Sequence, residues 1–491
     1  MTDFKAITAT DADYILWQHL HDFGTEPRLH QKVTLIWALA KDRRRLCLWH
    51  DIGTGKTLTA LYLHQLWDTE KLLVVCPNSV LETWEQQIPE HTKKTFTILR
   101  GMAAERRALI GDDAAIHVVN YEGLLTLFGK RIKRKLVDGK WAKAEWHMAR
   151  KTMRDAGYDG IILDESHHLK SPDALQTKAA AKLSEYAENV VIMTGSPILT
   201  SEADVHSQYL VLDGGRTLGA SRRKFLEKHF EQDHWGKWWI RPGEYKRIVD
   251  RVAPVTISFS REECCDMPEI VYEERYYDMT AEQRKFTKQV IDGARIELAE
   301  GGLSPQDAMR RGNKLAQIAG GTMLLDDGVP HHFEKNPKLD ALVELVREVP
   351  GKIIVFHHYV EEGRIIGEWL AYSGIDTASL RGEISEENRR TGLEEFRTDP
   401  TCRVLVAHPR SGGEGLNLQE AATVIFYGPG MGGAAVREQA IGRIWRMGQR
   451  RRCLVVDLLM RDSVDCERLD KLRDRAEMSK KVLRYIERWK G

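Results

Sequence analysis

The stretch Trp49-His-Asp-Ile-Gly-Thr-Gly-Lys-Thr57 decides how this chain is read. A short apolar run, Leu46-Cys-Leu48, precedes it, and a helical pattern, Leu58-Thr-Ala-Leu-Tyr-Leu-His-Gln-Leu66, follows it. Strand, glycine-rich turn and helix, in that order, are what a phosphate-binding loop needs. Gly53 and Gly55 permit a tight turn that points backbone N–H groups inward. The helix N-terminus adds a partial positive charge where phosphate oxygens sit. Lys56 can reach the outer phosphates, and the Thr57 hydroxyl can ligate magnesium. His50 stands where the usual loop has glycine.

Outward from this loop, apolar runs repeatedly end in polar clusters. Lys71–Cys76 ends at Pro77, and Asn78-Ser-Val-Leu-Glu-Thr-Trp84 then opens a helix. Ala115–Val119 ends at Asn120-Tyr121, Gly160–Leu163 at Asp164-Glu-Ser-His167, and Asn189–Met193 at Thr194-Gly-Ser-Pro197. Strands alternating with helices predict a parallel sheet covered on both faces. Ligands of such sheets bind beyond the carboxyl ends of the strands, so these clusters should converge on the phosphate loop. Asp164 can hold magnesium, and Glu165 can orient or deprotonate an attacking water. The bland alternative is a solvated strand end.

Composition narrows the class. The 491 residues suffice for two or three domains of roughly 100–200 residues each. No apolar run approaches the roughly 20 residues of a membrane span. Met1-Thr-Asp-Phe-Lys-Ala6 lacks a signal peptide's apolar stretch. The expectation is a cytoplasmic protein without a membrane partner, in the host cytoplasm if phage-encoded. The 7 cysteines form no Cys-x-x-Cys pair and fit a reducing compartment. His331-His332 and His357-His358 lack partner ligands at zinc spacing.

A net charge of +1 confines any nucleic-acid surface to a local patch. Two patches stay open. Lys130-Arg-Ile-Lys-Arg-Lys135, with Trp141 and Trp146 after it, reads either as a backbone-tracking segment or as a solvated helix face. Ser201–Cys265 reads as helical, with Trp235, Trp238 and Trp239 near Lys237, Arg241, Lys246 and Arg247. That cluster is either a satellite core or a nucleic-acid contact.

Past a boundary near Met267-Pro268, Lys352–Phe356, Arg403–Ala407, Thr423–Tyr427 and Leu454–Leu458 predict a second parallel sheet without its own phosphate loop. In Gln439-Ala-Ile-Gly-Arg-Ile-Trp-Arg-Met-Gly-Gln449, Arg443 and Arg446 lie three apart and share a helix face. Two such guanidinium groups could neutralise charge developing on a γ-phosphate. An ordinary surface helix is the alternative.

Together these motifs resemble helicase superfamily 2, and within it the Snf2 family of ATP-dependent DNA translocases. The likeness runs from Gln31 to about Glu467. It rests on Asp51–Thr57, Pro77-Asn-Ser79 with Trp84, Asp164-Glu-Ser-His-His-Leu-Lys170, Thr194-Gly-Ser-Pro197, Arg381-Gly-Glu-Ile-Ser385, Gly412-Gly-Glu-Gly-Leu-Asn-Leu418 and Arg443–Gln449. Departures are His50, Ser166 in place of alanine, and the absence of Trp-Asn-Pro around Pro429–Gly433.

The resemblance implies an α/β fold of two RecA-like parallel-sheet lobes in tandem, with helical insertions. Lobe 1 would span 1–265, with a helical extension from about 201. Lobe 2 would span 266–491, with a C-terminal helix from about 464. It implies an ATP hydrolase that uses ATP and Mg2+. Gln31 would read adenine, and Asp51, Gly53, Thr54, Gly55, Lys56, Thr57, Gly415 and Gln449 would complete the nucleotide site. Thr57 and Asp164 would hold the metal, Glu165 would activate water, and Arg443 and Arg446 would act as fingers from lobe 2. Ser79, Trp84, Asn120, Tyr121, Arg381, Gly412, Gly413 and Asn417 would contact nucleic acid. His167, Thr194 and Ser196 would couple the two events. The implied partner is double-stranded DNA, handled by a monomer, with replication or recombination proteins beside it. The implied function is DNA-stimulated translocation along duplex DNA that remodels DNA structures or protein–DNA complexes, with forks or branched DNA as one setting; a strand-separating DNA or RNA helicase, and an ATP-gated nucleic-acid-binding scaffold, are the alternatives.

Overall fold

The computed structural model describes residues 4–19, 23–131, 136–137, 140–141, 146–195, 201–233, 236, 238–264, 266–299, 304–325, 328–380, 385–410, 416–430 and 433–474. Among the described residues, contacts divide the chain into two units, 4–264 and 266–474.

The first unit is built on seven parallel strands. They are β1 (Arg45–Leu48), β2 (Leu72–Cys76), β3 (Phe96–Ile98), β4 (Ile116–Asn120), β5 (Gly160–Asp164), β6 (Asn189–Met193) and β7 (Thr256–Ile257). Their order across the sheet is β7-β1-β6-β5-β2-β4-β3. Every residue of β2, β4, β5 and β6 is buried. That is why these strands read as unbroken apolar runs, with helices packed on both faces. One face packs with Tyr121, Leu124 and Tyr209, the other with Val33, Leu61 and Trp84.

Four helices matter for the site. These are α1 (Leu29–Leu39), α2 (Lys56–Leu66), α3 (Leu81–His91) and α4 (Tyr121–Phe128). A fifth, α5 (Asp204–Asp213), packs on the face of α4. Register sets the ends of three strands level: Leu48 pairs with Met193, and Met193 with Asp164. At roughly 4.8 Å per strand, the phosphate loop and the acid pair start about 10 Å apart, with Thr194 between them.

The second unit carries six parallel strands. They are β8 (Ile270–Tyr277), β9 (Lys352–Phe356), β10 (Thr377–Leu380), β11 (Val404–Ala407), β12 (Ala421–Phe426) and β13 (Cys453–Met460), in the order β8-β13-β12-β9-β11-β10. Its two core faces centre on Phe356, Phe396 and Phe426 on one side and Val355, Leu370 and Tyr427 on the other. Residues 464–474 are helical. Two parallel-sheet α/β lobes of the RecA type are therefore present.

The structure adds elements that periodicity alone did not show. β8, with the sequence Ile-Val-Tyr-Glu-Glu-Arg-Tyr-Tyr, lies at the sheet edge and is only partly buried, so charge interrupts its apolar pattern. Within the segment read as helical, Phe230–Gln232 and Trp238–Ile240 form an antiparallel hairpin, and β7 adds an edge strand to the first sheet. Trp238 packs on the core, whereas Trp239 is half-exposed with its indole N–H on Asp233. Trp235 and Lys237 lie outside the described residues. So do 132–135 and the side chains of Lys130 and Arg131 in the basic run. No helix among the described residues is long and apolar enough to cross a membrane.

Candidate active site

The loop after β1 turns through left-handed conformations at Gly53 (φ 84°) and Gly55 (φ 81°), which glycine adopts without steric cost. A Cβ on Gly55 would also stand 2.6 Å from the Gln31 amide nitrogen. Gln31 donates to the Gly55 carbonyl at 3.1 Å and accepts from the Arg28 backbone at 2.7 Å. It is 1% exposed, so its amide braces the loop from α1.

His30 adds a second brace, with its ring nitrogen 2.8 Å from the Thr54 carbonyl. His50 occupies its unusual position fully buried, between Thr34 (3.3 Å) and the Phe259 ring. Its bulk is accommodated by the core behind the loop and not by the phosphate side. Thr54 turns its hydroxyl inward to the Asp51 carbonyl, 2.8 Å away. Asp51 accepts from the Arg261 backbone, and its own N–H reaches Phe259. His30, Thr34, Phe259 and Arg261 thus support the loop, although no motif marks them.

Lys56 donates to the carbonyls of His50 (3.0 Å) and Asp51 (3.1 Å). Burial lowers its pKa, and Glu165, Asp164 and Asp51 oppose that shift. Thr57 is half-buried, and no hydrogen bond among the described residues takes its hydroxyl.

At the end of β5, Asp164 is held at three atoms. The Trp84 indole donates to Oδ2 (3.0 Å), the Glu165 backbone to Oδ1 (2.9 Å) and the Tyr121 hydroxyl to the carbonyl (2.7 Å). Glu165 sits at φ 48°, a left-handed conformation uncommon for a residue with a side chain. That turn carries its carboxylate to Thr194 (3.2 Å) and to His167 (3.2 Å), which are themselves 3.0 Å apart. Burial, then the Glu165 charge, pushes the Asp164 carboxyl up. Burial would raise Glu165 too, but the His167 ring, Lys56 and Thr194 outweigh it and hold that carboxyl down.

A Cβ on Gly195 would lie 2.7 Å from Ile52 and 3.4 Å from the Lys56 ammonium. Only glycine lets the strand that carries Thr194 approach the loop this closely. The phosphate loop, the acid pair, His167 and Thr194 therefore form one array at the carboxyl edge of one sheet. Hard oxygen donors at Asp164 and Thr57, beside a lysine, suit Mg2+ with a polyphosphate.

Some expected nucleic-acid contacts fall elsewhere. Trp84 is 0% exposed and Tyr121 1%, and both spend their polar atom on Asp164, so neither ring can lie on nucleic acid. Asn120 is buried and bonded to Arg106, Glu122 and Asn78. Ser79 and Asn417 are exposed.

In the second unit, Gln449 does not face outward as a nucleotide contact. Its amide nitrogen donates to Gln419, Ala421 and Ile444 carbonyls, and its oxygen accepts from Arg450 and Arg451. Its hydrogen-bonding capacity is used in pinning the loop. Arg443 is 5% exposed and donates to the Pro409 carbonyl. Arg446 is half-buried, burial lowers its pKa, and no hydrogen bond among the described residues takes its guanidinium. Ser196, Arg381, Gly412, Gly413 and Gly415 lie outside the described residues.

Residues 30–317 match the SNF2-related domain, and residues 337–448 match the helicase conserved C-terminal domain. Over 94% of its length the chain is 23% identical to YwqA of Bacillus subtilis (strain 168), described as a candidate ATP-dependent helicase/translocase. It spans 49% of that protein, about half. It is 24% identical to protein p41 of Acyrthosiphon pisum secondary endosymbiont phage 1, over 89% of this chain and 94% of p41. Among solved structures, a Sulfolobus solfataricus SWI2/SNF2 ATPase core in complex with dsDNA shares 21% identity, covers 95% of this chain and 96% of its own, and has a TM-score of 0.44. With the SNF2-related match covering more than half of the chain, the chain belongs to the SNF2-related family.

Proposed function

We propose that this chain is a DNA-stimulated ATPase that translocates along duplex DNA. The observation that carries the reading is the Glu165–His167–Thr194 triangle beside Lys56. It ties the acid that faces the reacting water to the strand end next to the phosphate loop, so hydrolysis and the position of that strand end are mechanically joined. The exposed residues Asn78 and Ser79, at a strand end of the first unit, supply a polar rim for a nucleic-acid backbone, and Asn417 is an exposed polar residue of the second unit.

In this mechanism the loop N–H groups and Lys56 bind the phosphates. Asp164 and Thr57 hold Mg2+, which when bound neutralises phosphate charge. Glu165 is held ionised and is therefore a weak base. It acts chiefly by accepting a hydrogen bond from the attacking water and fixing its line of approach. That is enough for a phosphoryl transfer with a loose transition state. Arg446, in the second unit, neutralises charge on the transferring group. A role on forks or branched DNA, beside replication or recombination proteins, is the finer form of this proposal, with host cytoplasm as its setting if the chain is phage-encoded.

The test is turnover with duplex DNA, single-stranded DNA and RNA compared, using Lys56→Ala as the inactive control. The expected result is stimulation greatest with duplex. DNA affinity should fall linearly on a log–log salt plot, because each neutralised phosphate releases counterions. Preference for RNA would make the chain an RNA helicase, and no stimulation by any nucleic acid would overturn the motor reading.

A further inference from the structure

We propose that Trp84 and Tyr121 are positioning residues that hold Asp164 in its metal-competent orientation and connect it, through the buried Asn120, to the exposed polar rim at Asn78 and Ser79. The proposal rests on the DNA-stimulated reading above. Both aromatics are buried, and each aims its one polar atom at Asp164, at 3.0 Å and 2.7 Å. An indole N–H has a direction fixed by its ring, so Trp84 can satisfy Oδ2 in only one carboxylate rotamer. With the Glu165 backbone on Oδ1, each carboxylate oxygen has one protein donor and keeps one acceptor position for a ligand.

The two donors come from the starts of two helices that rise from neighbouring strand ends. Trp84 lies in the first turn of α3, five residues after the exposed Ser79, roughly 8 Å of helical rise away. Tyr121 opens α4 immediately after Asn120. The Asn120 amide, 3.4 Å from Asn78, bridges the two ends. A backbone seated on that rim moves the helix starts. Because helices are stiff over one turn, the movement reaches Asp164 through the two aromatic donors. A purely apolar filler would need neither the N–H nor the O–H.

Trp84→Phe and Tyr121→Phe each delete the hydrogen bond to Asp164 and keep an aromatic ring in the core, a smaller one in the case of Trp84. Three quantities are measured: the urea midpoint, Mn2+ affinity for the ADP complex by electron paramagnetic resonance, and turnover with and without duplex DNA. The expected result for Trp84→Phe is a folded protein with a lowered urea midpoint, because the smaller ring leaves a cavity, Mn2+ affinity lowered about tenfold as for lost outer-shell partners of a metal site, and a duplex-to-basal turnover ratio that falls towards one. Tyr121→Phe should move the same way by a smaller factor. A folded Trp84→Phe with wild-type Mn2+ affinity and a wild-type ratio overturns the proposal. If Trp84→Phe does not fold, the same unchanged pair of readouts in Tyr121→Phe overturns it. A wild type that duplex does not stimulate removes the motor reading instead, and the Mn2+ measurement still decides the hold on Asp164.

Discussion

Arg446→Ala is expected to leave nucleotide affinity within a few-fold of wild type while lowering DNA-stimulated turnover by about 10³–10⁵, the range for arginine fingers in other phosphoryl-transfer enzymes. The asymmetry follows from where the groups sit. Lys56, Asp164 and the loop N–H groups all belong to the first unit, and in the proposed mechanism they hold the phosphates and metal. Arg446 belongs to the second. Its guanidinium is half-buried and has no hydrogen-bond partner among the described residues, so its removal should cost the fold little. Arg443 is a poorer test, because its guanidinium donates to the Pro409 carbonyl and stacks 5.6 Å over Phe356. Nucleotide affinity without DNA and turnover at saturating duplex are the two measurements. Full stimulation in the variant would show that Arg446 does not act on the transferring phosphate.

Glu165→Gln is expected to bind ATP as well as wild type and to lose turnover by at least about 10², the smaller end of what a positioned acid–base group contributes. Glutamine keeps the side-chain length and one acceptor oxygen, so Thr194 retains a partner. It removes the negative charge that aligns the water. Equilibrium ATP binding beside single-turnover hydrolysis separates the two effects. Hydrolysis at the wild-type rate would transfer the water-orienting role to another residue.

The positions of the buried strands and the convergence of their ends were legible because parallel strands covered on both faces leave unbroken apolar runs; their order across the sheet was not. Lys56, Asp164, Glu165, His167 and Thr194 were legible for the same reason, since each closes or follows such a run. What sequence left out is mostly support. His30, Thr34 and Phe259 reach the phosphate loop from other segments; the partners of His30 and Thr34 lie 24 and 16 positions away, and Phe259 meets His50 from the far end of the first unit's sequence. Trp84 and Tyr121 sit where nucleic-acid contacts were expected, but their side chains turn inward. The sequence around Asn78–Trp84 gives the helix α3, while the direction of a first-turn aromatic depends on which polar group the neighbouring strand offers. The same holds for Gln449, whose amide is used by five groups of its own lobe. Edge strand β8 was missed because its part-exposed residues interrupt the apolar signal, and β7, although buried, because two residues are too short to show a period.

Ser166, where alanine is usual, donates at 2.8 Å to the Gln208 side-chain oxygen on α5, and both residues are 0% exposed. Truncating only the serine deprives a buried amide oxygen of that donor, at a cost of about 1–3 kcal/mol, whereas replacing both partners with apolar groups of matching shape is nearly neutral. The two positions therefore behave as one heritable character. A descendant that returns to alanine in the acid box must pass through a less stable single variant or change both codons. Chimaeras that graft an alanine-type box into this lobe should show the deficit as a lowered urea midpoint, restored when Gln208 is changed to Leu.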